Sequence, residues 1–311
     1  MIRANAAIEE PRAEERPVRT GARLLARLPL HATIIAIVLV WSIPTVALFA
    51  SSFRDPTAIS ASGWWHTLDK PGDLTLDNYE EVLDKQGMGR AFLNSLLITV
   101  PTTVLVVLVA AAAAYAFAWM EFPARNLLFL AVVAMLVVPL QMTLIPVLRL
   151  YTHLTVDTEL PLVGGRLFGT NSYAGLWLAH TAYGLPFAVF LLRNFFGALP
   201  RDLFESAYLD GASDLTVFRR IVLPLSMPAL AALAIFEFLW VWNDLLVALV
   251  FLGDPSMFPM TVRIQSLVSS FGTNYQVLTA AAFVSMALPL AVFFALQRYF
   301  VEGVLAGATK G

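Results

Sequence analysis

The sequence predicts an all-α polytopic membrane protein with six transmembrane helices. Three observations predict it. Of 311 residues, 59% are apolar and only 14% are charged, whereas a soluble chain carries about a quarter charged residues. Several apolar runs reach the roughly 20 residues that cross a hydrocarbon core of about 30 Å. Polar segments separate those runs and hold nearly all the charges. The chain has no cysteine, which excludes disulfides, cysteine-ligated metals and thiol chemistry. The net charge of −2 discriminates nothing.

In order, residues 1–28 form a polar tail in which Arg12, Arg16, Arg19, Arg23 and Arg27 lead into the first apolar run. That run, residues 31–50, is longer than the h-region of a cleaved signal peptide. It reads as a retained helix behind a disordered tail. The connection 51–90 holds seven acidic and four basic residues. Within it Trp64 and Trp65 suit a membrane interface, and Leu76, Tyr79, Val82 and Leu83 suggest a short amphipathic helix. The second span, 91–118, has Pro101 near its start and an alanine run, Ala110–Ala114, that lets helices approach closely. A turn at 121–125 leads to the third span, 127–148, interrupted by Pro139 and Pro146. A polar connection with Gly164 and Gly165 precedes the fourth span, 173–196. A loop, 197–228, separates it from the fifth span, 229–251, and the sixth covers 279–300.

Six spans place both termini on one side. That side carries thirteen Lys and Arg against seven on the other. The positive-inside rule counts these residues rather than net charge, so both termini and the 197–228 loop are predicted cytoplasmic.

The 197–228 loop contains Glu205-Ser206-Ala207-Tyr208-Leu209-Asp210-Gly211, then nine residues, then Ile221-Val222-Leu223-Pro224. Phe204, Ala207, Tyr208 and Leu209 share one face of a short helix. Gly211 can end it, because glycine takes positive φ without penalty. Asp214 precedes a second helical pattern, Leu215, Phe218, Ile221 and Val222, which Pro224 is expected to break. A generic helix–glycine–helix is an ordinary connection, and only the spacing sets this one apart.

No nucleotide-binding pattern Gly-x4-Gly-Lys-Ser/Thr and no His-Glu-x-x-His occurs. The histidines, His31, His66, His153 and His180, are scattered, so neither a catalytic set nor a metal site is expected. In the fifth span Glu237, Trp240 and Asp244 stand at i, i+3 and i+7, on one helix face. Ionisable groups in a span usually face a cavity or a partner. Asp244 is therefore a candidate for the transport pathway or an inter-subunit contact, or else a structural hydrogen bond. Asn243 and Trp242 lie on neighbouring faces and are pathway or packing residues. His180, Tyr183, Gln141 and Asn94 are weaker pathway candidates, each alternatively a satisfied interhelical hydrogen bond.

The spacing Glu-x-Ala-x3-Gly-x9-Ile-x-Leu-Pro resembles the EAA loop of binding-protein-dependent ABC importer permeases. The resemblance extends through Phe92–Leu96, Ala114–Ala118, Pro139 with Gln141, Ile145 and Pro146, Phe187–Phe196, Pro200–Leu203 and Phe238–Asp244. The ending, Gln297–Gly311, is similar to the MalG-type carbohydrate branch, and Ser62–Trp65 with Gln276–Phe283 to alpha-glucoside permeases. Two positions depart: Ser206 replaces the second residue of the triplet, and Glu237 stands where relatives often have Gln.

The resemblance implies a type I ABC importer permease fold in a bacterial cytoplasmic (inner) membrane. It implies half of a heterodimeric channel with a second, MalF-type permease, two ABC ATPase subunits and an extracytoplasmic sugar-binding protein, with membrane lipid around it and no nucleic acid. The cargo would be an oligosaccharide such as an alpha-glucoside. ATP and Mg would be bound by the ATPase, leaving this chain without a cofactor and without enzymatic activity. Coupling would run through Glu205, Ser206, Ala207, Tyr208, Asp210, Gly211, Ile221, Leu223 and Pro224, with Ala207 and Tyr208 entering an ATPase groove. The tail bearing Gly303, Gly307 and Gly311 would be extended and inserted between ATPase subunits. The alternatives are a permease of the same fold for another solute, and an ion-coupled secondary transporter, which would want inverted repeats that the sequence does not display.

Overall fold

The computed structural model describes residues 20–67, 69–154, 156–159, 166–270 and 275–308. Apart from one antiparallel strand pair, Val156–Glu159 with Arg166–Phe168, the regular elements among the described residues are helical. Among the described residues four helices are long and apolar enough to cross a membrane. They lie in α1 (Thr20–Ser52), α2 (Met88–Trp119), α5 (Tyr173–Phe196) and α11 (Tyr275–Ala308). Helix α1 starts inside the stretch expected to be a tail. Along its apolar length nearly every side chain is exposed, as suits a helix whose solvent is lipid.

The other two apolar segments are broken, and counting each bent pair as one span brings the total to six. Helices α3 (Arg125–Ala134) and α4 (Leu140–His153) meet at 105° across Pro139. Val138 is extended there, as the residue before a proline prefers. Pro146, expected to interrupt the span too, lies within α4. On the way to the fifth span, α6 (Arg201–Leu209) and α7 (Asp214–Val217) are followed by a wide π-turn, Phe218–Val222. The chain passes helically through Pro224. It bends by 76° at Ser226, ahead of Pro228, two residues beyond the expected break.

Helix α8 (Met227–Trp242) has 16 residues, about 24 Å at 1.5 Å per residue, short of a full crossing. Instead of running on to Phe251, it ends at a turn, Asn243–Leu245, and α9 (Leu246–Phe251) resumes. Helix α10 (Met260–Ser270) follows.

The bundle is centred on α2, which packs along α5, while α8 lies against α2 and α11. The alanine run does what its size permits: Ala110, Ala111 and Ala114 are buried against Ala188, Val189 and Leu192. In the connection 51–90, the guanidinium of buried Arg54 donates to the carbonyls of Ala58, Ser62 and Gly63. The expected amphipathic helix is Asp77–Glu80 running into a π-turn. Val82 is buried there, while Leu76 and Leu83 are exposed.

The expectation of an extended C-terminal tail is corrected. Gly303 and Gly307 lie inside α11, which reaches Ala308, although each glycine costs a helix about 1 kcal/mol relative to alanine. Residues 1–19, Gly164, Gly165 and Gly311 lie outside the described residues.

Candidate functional site

Two constellations stand out. The first is the loop between α5 and α8. Helix α6 closes with a Schellman cap: Ala212 N donates to Ala207 O and Gly211 N to Tyr208 O, both at 3.0 Å. Gly211 has φ +77, and a Cβ there would meet nothing within 4 Å. Glycine is thus required by backbone conformation, not by crowding. Ser213, rather than Asp214, caps α7, accepting from Thr216 N.

Helix α6 is fastened to the ends of two spans. Phe204 is buried and its ring stacks on Trp119 at 3.5 Å. Burying such a ring contributes about 1.5–3 kcal/mol. Trp119 Nε1 donates to Phe196 O at the end of α5. Tyr208 donates to the Asp214 carboxylate at 2.8 Å and lies 3.4 Å from the hydroxyl of Tyr115 on α2. Partial desolvation raises the Tyr208 phenol above its ordinary pKa, and the Asp214 carboxylate adds to that rise against the contact with Tyr115. It therefore stays a protonated donor.

Glu205, Ser206 and Asp210 are exposed. Ala207 packs inward against the apolar cluster beneath the loop, as do Ile221 and Leu223, while Pro224 is exposed. The outward apolar surface is instead Leu203, Leu209 and Leu215, with Leu209 88% exposed. The sequence pattern groups Leu209 with Phe204, Ala207 and Tyr208 and places Leu215 in the second helical pattern, without marking either as an outward surface.

The second constellation lies where the fifth span breaks. Asp244 does not continue the helix face of Glu237 and Trp240, because α8 has already ended. Asn243 caps it, its side chain donating to Leu239 O. Short polar side chains of this kind compete for backbone groups and favour helix ends. The Asp244 carboxylate accepts from Val247 N and Ala248 N and so holds the start of α9. It also faces α5: His180 Nε2 stands 3.3 Å from Asp244 Oδ2, at ion-pair distance but off hydrogen-bond alignment. His180 Nδ1 lies 3.0 Å from Leu176 O. A carbonyl only accepts, so Nδ1 carries a hydrogen.

Glu237 is 1% exposed and its Oε2 has no hydrogen-bond partner. Its room is made by Gly184, where a Cβ would stand 2.8 Å from Oε2. Trp240 packs near His180, with ring centroids 6.2 Å apart. A small cavity of about 10 Å³ lies against His180 and Asp244, bordered by Ser95 and Thr99.

The remaining candidates lie apart from this cluster. Asn94 is fully engaged, donating to Ser256 O and Phe258 O and accepting from the Tyr173 hydroxyl. Trp242 is buried and donates to Ser285 O. Tyr183 accepts from Thr143, and Gln141 is exposed at the start of α4. Among the described residues no group of three His, Cys, Asp or Glu is placed to hold a metal ion.

Residues 91–305 match the family described as binding-protein-dependent transport system inner membrane component. The chain is 53% identical over 288 residues to the osmoprotective compounds uptake permease protein GgtD of Synechocystis sp., covering 91% of this chain and 92% of the relative. It is 40% identical to the alpha-glucoside transport system permease protein AglG of Rhizobium meliloti, covering 91% and 97%. In structure it resembles a chain of a bacterial ABC transporter involved in the import of the acidic polysaccharide alginate. The TM-score is 0.58 at 17% identity, covering 90% of this chain and 98% of that one. At that identity the likeness shows the fold alone.

Proposed function

Because the chain belongs to the family of binding-protein-dependent transport system inner membrane components, we propose that it is a permease subunit of an ATP-driven sugar importer. It would form half of a translocation channel with a second permease of the same kind and receive its cargo from an extracytoplasmic binding protein. It would dock on two ATPase subunits, which bind ATP and Mg, while this chain itself catalyses nothing. Both termini and the 197–228 loop would be cytoplasmic, in keeping with the Lys and Arg distribution. The observation that carries the coupling role is the fastening of α6. A helix tip with an exposed leucine is joined through the Phe204–Trp119 stack and the Tyr208–Tyr115 contact to the ends of α5 and α2. Force applied at Leu209 reaches the spans without passing through a slack loop, as a two-state opening requires.

The names of the two relatives differ in cargo, osmoprotective compounds in one and alpha-glucosides in the other. A small neutral α-glucoside satisfies both and is the proposed substrate class. The contents of the membrane segments are compatible with it: aromatic faces and hydrogen-bonding groups, with few charges. The test is uptake into vesicles by the assembled transporter. The proposal expects uptake of a labelled α-glucoside to require both ATP and the binding protein. Uptake driven by an ion gradient without partners would refute it. Preference for a charged or peptidic solute would refute the cargo while leaving the transport class intact.

A further inference from the structure

On the same side of the bundle as α6, a cavity of about 360 Å³ is lined by Arg125, Arg193, Arg201 and Asn194, with Ala118 and Gly197 at its edge. These residues come from four elements that end or begin at one level. Ala118 is in the last turn of α2, Arg193 and Asn194 are in the last turn of α5, and Arg125 and Arg201 open α3 and α6.

Three guanidinium groups in one hollow normally bring carboxylates with them, yet no carboxylate oxygen lies within 4.0 Å of any of the three among the described residues. Their internal partners are few. Arg125 donates once, to Met120 O. Arg193 sits over the Phe129 ring at 4.8 Å, and its buried Nε has no acceptor. Acids stand close by in the chain, Glu121 bordering an adjoining hollow that Arg125 shares and Asp202 and Glu205 following Arg201 on α6, yet none pairs with the three guanidinium groups. Three guanidinium groups without carboxylate partners, one of them with an unsatisfied buried N–H, therefore stand together where spans leave the membrane. Planar guanidinium forks match the oxygens of a phosphate.

The geometry points to a binding site for the phosphate group of an anionic phospholipid. The surroundings favour a lipid over free phosphate. Helix α3 runs from Arg125 into the membrane and exposes Leu127, Leu128 and Leu130, an apolar surface for acyl chains directly beneath the cationic hollow. Basic pockets between spans at this level suit such headgroups. The site also borders the first residue of α6, so an occupied pocket would steady the base of that helix.

The test uses the complete transporter complex in detergent, titrated with phosphatidylglycerol or phosphatidylcholine and read by native mass spectrometry. Wild type is expected to retain phosphatidylglycerol preferentially. Arg125→Gln and Arg201→Gln should each weaken retention about fivefold, and the combined variant with Arg193→Gln should abolish the preference. Arg193→Lys should keep most of it. It also guards against misfolding, since a folded complex with charge restored must regain lipid. Unchanged phosphatidylglycerol retention in the combined variant overturns the proposal. Displacement of the lipid by inorganic phosphate at equal concentration also overturns it, in favour of a free-phosphate site. Loss of ATPase copurification with lipid retention intact overturns it as well, in favour of an acidic protein partner.

Discussion

The α6–Gly211–α7 loop and the His180–Asp244–Glu237 cluster are built on opposite principles. The loop's own turn is held by contacts a few residues apart: a cap between Ala207 and Ala212, a hydrogen bond from Tyr208 to Asp214, a serine at position 213 holding the start of α7. The cluster draws on residues more than fifty positions apart, from α5, α8 and the turn before α9. The loop presents polar groups to water and three leucines to whatever docks there. The cluster hides ionisable groups from solvent and leaves Glu237 Oε2 without a partner. Errors in the loop should therefore impair coupling while sparing the fold. Errors in the cluster should damage the fold itself, because unpaired buried charge is costly.

His180→Ala sharpens this contrast most. It leaves Asp244 facing an emptied site between α5 and α9. Removing one partner of a buried pair costs about 3 kcal/mol, to be read as a lowered unfolding midpoint of the purified complex. The double variant His180→Ala/Asp244→Ala should recover part of that loss, as coupled sites do. Additive losses would show that the pair does not interact.

Gly211→Val is next. A β-branched residue at φ +77 is strained by about 1–2 kcal/mol. The strain falls on an exposed turn with space around it, so membrane insertion and the melting of the spans should be unchanged. Transport-linked ATP hydrolysis in the assembled complex should fall. A stable, fully coupled Gly211→Val complex would remove the distinction drawn between the two regions. Glu237→Gln is the mildest. The amide keeps the shape beside Gly184, so the loss of stability should be about 1 kcal/mol, smaller than that of His180→Ala. A much larger loss would mean that Glu237 carries a charge that His180 needs.

The difference between the regions also explains what could be read in advance. The helix, the glycine turn and the second helix of the loop were legible because caps and positive-φ positions are local chemistry. The number of apolar segments was legible for the same reason. Breaks inside segments were half legible. Pro139 does bend its span, but Pro224 does not break the chain where expected, since a π-turn lies just ahead of it. The end of α8 was missed because Asn243 and Asp244 were read as continuing a helix face, when their side chains are better suited to ending one helix and holding the next. The pairing of Asp244 with His180, and the role of Gly184 in admitting Glu237, depend on how α5 meets α8. No spacing within one segment encodes that meeting. That Ala207 packs inward is not encoded locally for a related reason: a helix has two candidate faces until the body it packs on is known.

On the proposed reading α6 docks on the ATPase through its exposed tip, with Leu209 foremost. The chain has no cysteine, so a single Leu209→Cys provides a unique thiol without further engineering. Treated with a short bifunctional reagent in the assembled transporter, Leu209→Cys should crosslink to the ATPase, while Ala207→Cys, which packs inward, should not. Crosslinking from Ala207 but not Leu209, or from neither, would contradict the account.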